Sequence, residues 1–277
     1  MSAASIRVNL LQSYAFLARN FHLTKRYWGW EVVWLIYSIS NSLAVTFIAA
    51  GSTAVTGESN INVPLFTMYL LLGTLVWHFL SGIFNAVSEV IAWERWEGTI
   101  EYTLMAPVRR SVHLIGQTLY AVIWSLTTTL IIGLVTSLFF ELDLSQSNLI
   151  GALVILLTGS LSLIGVGIVA SILPLLYPER GAQMTHIIQA SFLLVSGVYY
   201  PISVLPGWMQ ALAKLSPVTY VLDGIRAAIM DGASLAALGQ YIVPLLLFGA
   251  VTIPAGIWAF TTAERYAKRT GRLKRVG

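Results

Sequence analysis

The sequence predicts an all-α, polytopic membrane protein with six transmembrane helices, and three observations predict it. Hydrophobic types make up 57% of the 277 residues and charged types 10%, against roughly 25% charged in a soluble domain. Six stretches, 32–57, 59–88, 111–140, 144–178, 181–213 and 232–263, contain no Asp, Glu, Lys or Arg. Each is longer than the roughly 20 apolar residues needed to cross a bilayer core. Finally, 14 of the 16 Lys and Arg fall before the first stretch, between the second and third, between the fourth and fifth, or after the sixth. That bias places both termini in the cytoplasm. The same composition excludes an ordinary cytosolic enzyme, a disordered chain and a nucleic-acid-binding domain. The lack of cysteine excludes a disulfide scaffold, a Cys-ligated metal site and a thiol nucleophile.

In chain order, residues 6–30 come first. Leu10, Tyr14, Leu17, Phe21 and Trp28 share one helical face, with Gln12, Arg19, His22 and Arg26 on another. This pattern suits a helix lying in the cytoplasmic interface, and the segment lacks the compact apolar run of a cleavable leader. The spans are expected at about 32–51, 65–88, 111–139, 149–175, 183–200 and 240–262, within one bundle covering 32–262. After the second span, residues 93–106 place Glu94, Glu97 and Glu101 three and four apart, on one face of a short cytoplasmic helix. Trp93, Trp96, Ile100 and Leu104 back it, and Pro107 with Arg109 and Arg110 ends it. Such an acidic face reads as a docking surface, and reversing two of its charges should uncouple a partner without disturbing the membrane fold.

Residues 201–239 are too short or too charged to span. Pro201, Pro206 and Pro217 divide them, and Ser216 followed by Pro217 reads as an N-cap and first-turn proline. Asp223 and Arg226 lie at i and i+3, where they can pair. Two short helices closing the outer end are expected, then a basic cytoplasmic tail over 263–277, suited to anionic headgroups. Gly133 with Ser137, and Gly167 with Ser171, have the spacing of helix-packing faces that could join two copies.

The spans hold no acid or base apart from His78 and His186, so an ion-coupled carrier or channel is the weaker alternative. No paired carboxylates or His cluster marks a metal or hydrolytic site. A phosphate-binding loop needs Gly-Lys followed by Ser or Thr, whereas the four lysines precede Arg26, Leu215, Arg269 and Arg275. Any ATP that drives this protein is therefore hydrolysed by another polypeptide. A substrate path is expected along Trp34, Ser38 and Asn41 in the first span, facing Ser196, Tyr199 and Tyr200 at the end of the fifth across a dimer axis.

Two stretches resemble the permease subunit of type-2 ATP-binding-cassette exporters. One is Glu94-x-x-Glu97-Gly98-Thr99-x-Glu101-x-x-Leu104-x-x-Pro107. The other is Pro201 with Pro206, Trp208, Pro217, Tyr220 and Arg226. The order of elements is also similar, over essentially the whole chain. The resemblance implies that Glu94, Glu97, Gly98, Thr99 and Glu101 lie on a coupling helix. It implies that Pro201, Pro206, Trp208, Pro217, Tyr220, Asp223 and Arg226 form an outer gate of re-entrant helices. It further implies a permease dimer, of two copies or a paralogue, carrying two ATPase subunits that bind the ATP and Mg. Export would run outward across the plasma membrane, the inner membrane of a bacterium or archaeon, by alternating access. The cargo would be a drug, lipid or lipo-oligosaccharide, or alternatively a lipid-linked polysaccharide such as O-antigen or teichoic acid.

Overall fold

The computed structural model describes residues 3–52, 62–96, 98–106, 108–140, 144–177 and 180–270. The helices in chain order are α1 (Ala3–Arg26), α2 (Trp28–Ala50), α3 (Val63–Ser88), α4 (Val90–Trp96), α5 (Ile100–Met105), α6 (Arg110–Ser137), α7 (Leu149–Ala170), α8 (Ile172–Leu176), α9 (Gly181–Val195), α10 (Gly207–Ala213), α11 (Pro217–Ile229) and α12 (Leu235–Arg269). A 3-10 turn covers Ile202–Val204. Among the described residues there is no strand.

Among the described residues, five helical segments are long and apolar enough to cross a bilayer: Trp28–Ala50, Val63–Ser88, Ser111–Ser137, Leu149–Leu176 and Leu235–Arg269. The stretch expected as the fifth span, 183–200, is helical only through α9, 15 residues long. That is roughly 22 Å, short of the roughly 30 Å core. The chain turns at Gly197, whose φ of 72° is left-handed, a conformation that glycine adopts without a Cβ penalty.

The core forms around α7, which packs against α12, α11 and α3. Phe79, Leu80 and Ile83 of α3, Ile155, Leu163 and Ile168 of α7, and Val221 and Leu222 of α11 are nearly or wholly buried there. Leu238, Leu245 and Phe260 of α12 complete it. α7 tolerates so many neighbours because its small residues let backbones approach. A Cβ on Gly165 would overlap Thr252 of α12 and lie 2.6 Å from that residue's backbone carbon. Gly165→Ala is therefore expected to cost about 1–3 kcal/mol by overpacking. Trimming the side chain with Thr252→Ala should not rescue it, because the backbone remains in the way. Thermal unfolding of the single and double variants in detergent checks this; full rescue would show that only the side chain is in conflict.

The glycine of each small-residue pair read as a possible dimer face meets α3 of the same chain. A Cβ on Gly167 would lie 3.1 Å from Val87, and one on Gly133 3.5 Å from Leu75. Several boundaries also move. α1 stops at Arg26 and α2 starts at Trp28, so Trp28 and Trp30 begin the first span rather than end the N-terminal helix. The last helix continues through 35 residues to Arg269, into the stretch expected as a tail, and Lys268 Nζ lies 2.7 Å from Glu264 on it. Residues 271–277 lie outside the described residues.

α1 packs on α6 through a third face, lying between the expected apolar and polar ones. Ser13, Phe16, Asn20 and Thr24 lie against the first turns of α6. The Ser13 hydroxyl donates to the Val112 carbonyl at 3.2 Å, Asn20 Nδ2 donates to Gln117 Oε1 at 2.5 Å, and Thr24 bonds the Tyr120 hydroxyl. Phe16 lies 4.7 Å from the His113 ring. Leu10, Leu11 and Tyr14 are left exposed.

Candidate functional site

The expected site residues gather at opposite ends of the bundle. At one end is the α4–α5 corner. The expected single helix over 93–106 is two short helices. Gly98 adopts φ 71°, and the Thr99 N–H donates to the Glu94 carbonyl at 2.8 Å, closing α4 in the manner of a glycine C-cap. The spacing argument fails at that glycine, because i+3 and i+4 neighbours share a face only along one continuous helix. Glu94 belongs to α4 and Glu101 to α5. Glu97 and Pro107 lie outside the described residues, as does the side chain of Glu101.

Glu94 is not on a solvated face. Its side chain is 3% exposed and points into the protein. Oε1 lies 3.1 Å from His113 Nε2 of α6 and 3.8 Å from an Arg19 guanidinium nitrogen of α1. It accepts the Thr103 hydroxyl of α5 at 3.3 Å. The Gln117 side chain lies 3.4 Å from the same His113 nitrogen, and Asn20 donates to Gln117. One carboxylate thus ties α4, α5, α6 and α1 together. A buried charge is tolerated only when opposite charge and hydrogen bonds meet it; these partners supply both at Oε1, while Oε2 has no hydrogen-bond partner among the described residues. Beside this node, Glu89 lies 3.4 Å from His186 of α9. Burial pushes the Glu89 carboxyl above the ordinary carboxylate value, while His186 and the Trp93 indole draw it back in part.

The other end is built around Arg226 of α11. Both of its terminal nitrogens donate to the Gly197 carbonyl, at 3.2 and 3.1 Å, and one donates to the Val198 carbonyl at 3.0 Å. The guanidinium carbon lies 3.6 Å from the centre of the Tyr69 ring of α3. These carbonyls are the ones freed where α9 ends, so a planar fork of donors replaces the missing helix bonds. Val198 is fully buried, and its carbonyl sits where a Cβ on Gly73 of α3 would be. Among the described residues no ion pair within 4 Å joins Asp223 to Arg226, although the spacing allows one. Burial pushes the Asp223 carboxyl up, with Arg226 drawing it down in part.

The other expected gate residues, and the expected path residues Ser196, Tyr199 and Tyr200, lie on the segments that flank this latch. Ser216 heads α11 with Pro217 after it, but its hydroxyl makes no cap bond; it bonds Ser196 at 2.7 Å instead. The Tyr200 hydroxyl donates to the Leu194 carbonyl at 2.5 Å, and that of Tyr220 to the Lys214 carbonyl at 3.0 Å. Tyr199 packs half-buried against the core. Pro201 and Pro206 bound the 3-10 turn and α10, and Trp208 is exposed.

Within one chain the first-span stripe lies apart from this group, and the expected meeting is one across a dimer axis. Trp34 is exposed, its ring edge-on to Trp30 and Tyr37. Asn41 is exposed and Ser38 half-buried, while Ser42, Thr46 and Ala49 form the buried face of α2. Two partners escaped the sequence reading. Tyr69 and Gly73 stand four apart in an apolar run and so share one face of α3, a signal available in the sequence. Nothing in the sequence signals that Arg226 bonds backbone carbonyls.

A family model described as "ABC-2 type transporter" matches residues 11–230. LnrN of Bacillus subtilis strain 168, the "Linearmycin resistance permease protein", is 30% identical over 82 residues, or 30% of this chain and 21% of that protein. YbhR of Escherichia coli K12, the "Probable multidrug ABC transporter permease", is 24% identical over 172 residues, or 62% of this chain and 46% of that protein. The matches thus span under half the length of either relative.

Proposed function

We propose, since this chain belongs to the ABC-2 type transporter family, that it is the membrane permease subunit of an ATP-driven exporter of amphipathic, drug-like or lipid-like molecules. The observation that carries this reading is the family match over 11–230, which includes both ends of the bundle described above. The names of the two relatives, one a resistance permease and one a multidrug permease, favour drug-like cargo over a glycan. In this reading α9 is a short fifth span that brings the total to six, completed by the turn at 196–200 and held by Arg226. Residues 201–234 close the outer end, and both termini are cytoplasmic. The α4–α5 corner meets a separate ATPase subunit that binds ATP and Mg. Two permease chains and two ATPases make the transporter, which works by alternating access.

Co-expression with a cognate ATPase, co-purification, and measurement of ATP hydrolysis against a panel of amphipathic compounds tests the reading. Stimulation by such compounds supports it; a chain that recruits no ATPase would refute it. The same assay places the cargo path. Asn41 makes no hydrogen bond among the described residues, so Asn41→Leu is expected to leave the stability of the chain unchanged. It should abolish cargo stimulation while sparing basal hydrolysis. Wild-type stimulation in this variant would remove α2 from the path.

A further inference from the structure

A cavity of about 330 Å³ lies between the end of α1, the first turns of α2 and the middle of α6. Its walls are apolar and aromatic, from Trp28, Leu35, Trp124 and Ile131, and it is open to the outside of the bundle. Two charged residues line it, Lys25 in the last turn of α1 and Glu31 in the first turn of α2. Among the described residues no ion pair within 4 Å joins them. The neighbouring Arg26 guanidinium is placed over the Tyr27 ring at 5.7 Å. The groove therefore presents one ammonium and one carboxylate at its end near the α1–α2 break, and hydrocarbon walls along α2 and α6.

A carboxylate at the membrane edge of a span is costly unless a cation or water meets it. Glu31 is faced by the Trp124 indole, which satisfies part of its acceptor capacity but none of its charge. The ligand that fits is an amphiphile carrying both signs on its polar end. We infer that the groove between α1, α2 and α6 holds one aminophospholipid, its primary ammonium on Glu31, its phosphate toward Lys25, and its first methylenes along Leu35 and Ile131. A primary ammonium donates hydrogen bonds to a carboxylate, which a quaternary choline lacks the N–H to do. An anionic headgroup without an amine would bring its phosphate to Lys25 but set like charge against Glu31. The inference requires α2 and α6 to lie in a bilayer, and does not require the chain to transport anything.

The test uses the full chain in mild detergent micelles doped with equal amounts of phosphatidylethanolamine, phosphatidylcholine and phosphatidylglycerol, with bound lipid read by native mass spectrometry. One phosphatidylethanolamine is expected to be retained in preference to the other two. Glu31→Gln should lower its occupancy by roughly tenfold, the loss of a charge-assisted pair. Ile131→Trp fills the groove from a position that is 39% exposed, and should remove the adduct whatever the headgroup. Preferential retention of phosphatidylglycerol or phosphatidylcholine would overturn the proposal. So would an adduct that survives Ile131→Trp, even if Glu31→Gln failed to fold. An unchanged adduct in a folded Glu31→Gln variant would reduce Glu31 to a helix-terminus charge and overturn it as well.

Discussion

Arg226→Leu is expected to destabilise the protein by about 2–6 kcal/mol, through two carbonyls left unsatisfied at about 1–3 kcal/mol each. The opposite sign would be expected of an arginine facing lipid, where insertion scales make its replacement by leucine favourable by roughly 3 kcal/mol. The geometry decides between them. The guanidinium makes three donor contacts to Gly197 and Val198 and covers the Tyr69 ring, so the charge is engaged by protein rather than stranded. Arg226→Lys should rescue only part of the loss, because an ammonium has no planar fork to bridge successive carbonyls or to lie flat on a ring. The chain has no cysteine, so a reporter can be read without background. Val198→Cys, at a fully buried position, should resist a membrane-impermeant maleimide when Arg226 is present and react when Arg226→Leu is added. A double variant that stays unreactive with wild-type melting would show that the α9 turn holds itself.

This latch marks where the sequence stops being legible. The charge-free stretches located the long helices because a charge in hydrocarbon is penalised wherever it falls, so an absence of charge is a local signal of burial in lipid. The stretch 181–213 is equally free of charge, yet its helix ends at Val195. The turn that follows is bonded by a guanidinium 29 residues away from Gly197, and a local reading has no access to that contact. Pro201 marked the region but not the residue. The apolar side of α11 was legible for the converse reason: Val218, Leu222, Ile225 and Ile229 follow helical spacing and are all buried. At the α4–α5 corner the same periodicity argument misled, because Gly98 interrupts the helix over which it was applied. A polar seam of Ser13, Asn20 and Thr24, between the two expected faces of α1, packs inward on α6, a contact that hydropathy alone does not reveal.

Glu94→Lys is expected to have the largest effect, and its mechanism departs from the one that a solvated acidic face implies. On such a face a reversed charge would change docking and little else. Glu94 is instead 3% exposed, with His113 at 3.1 Å and Arg19 at 3.8 Å. A lysine there would place a third basic group among two others and remove the acceptor of the Thr103 hydroxyl. Breaking a buried pair by removing one partner costs about 3–5 kcal/mol, and the added like charge can only enlarge that. The variant should therefore fold poorly before any partner is involved. Glu94→Gln keeps the shape and an acceptor oxygen while removing the charge, and is expected to lose about 1–3 kcal/mol. A double-mutant cycle with Arg19→Gln separates the two accounts, since residues in one network couple by roughly 0.5–3 kcal/mol whereas independent sites add. Coupling between Glu94 and Arg19 in thermal unfolding, measured without the ATPase, is the outcome that the buried node requires. Wild-type melting of Glu94→Lys combined with loss of ATPase co-purification would return Glu94 to the docking surface and leave α4, α5, α6 and α1 held by something else.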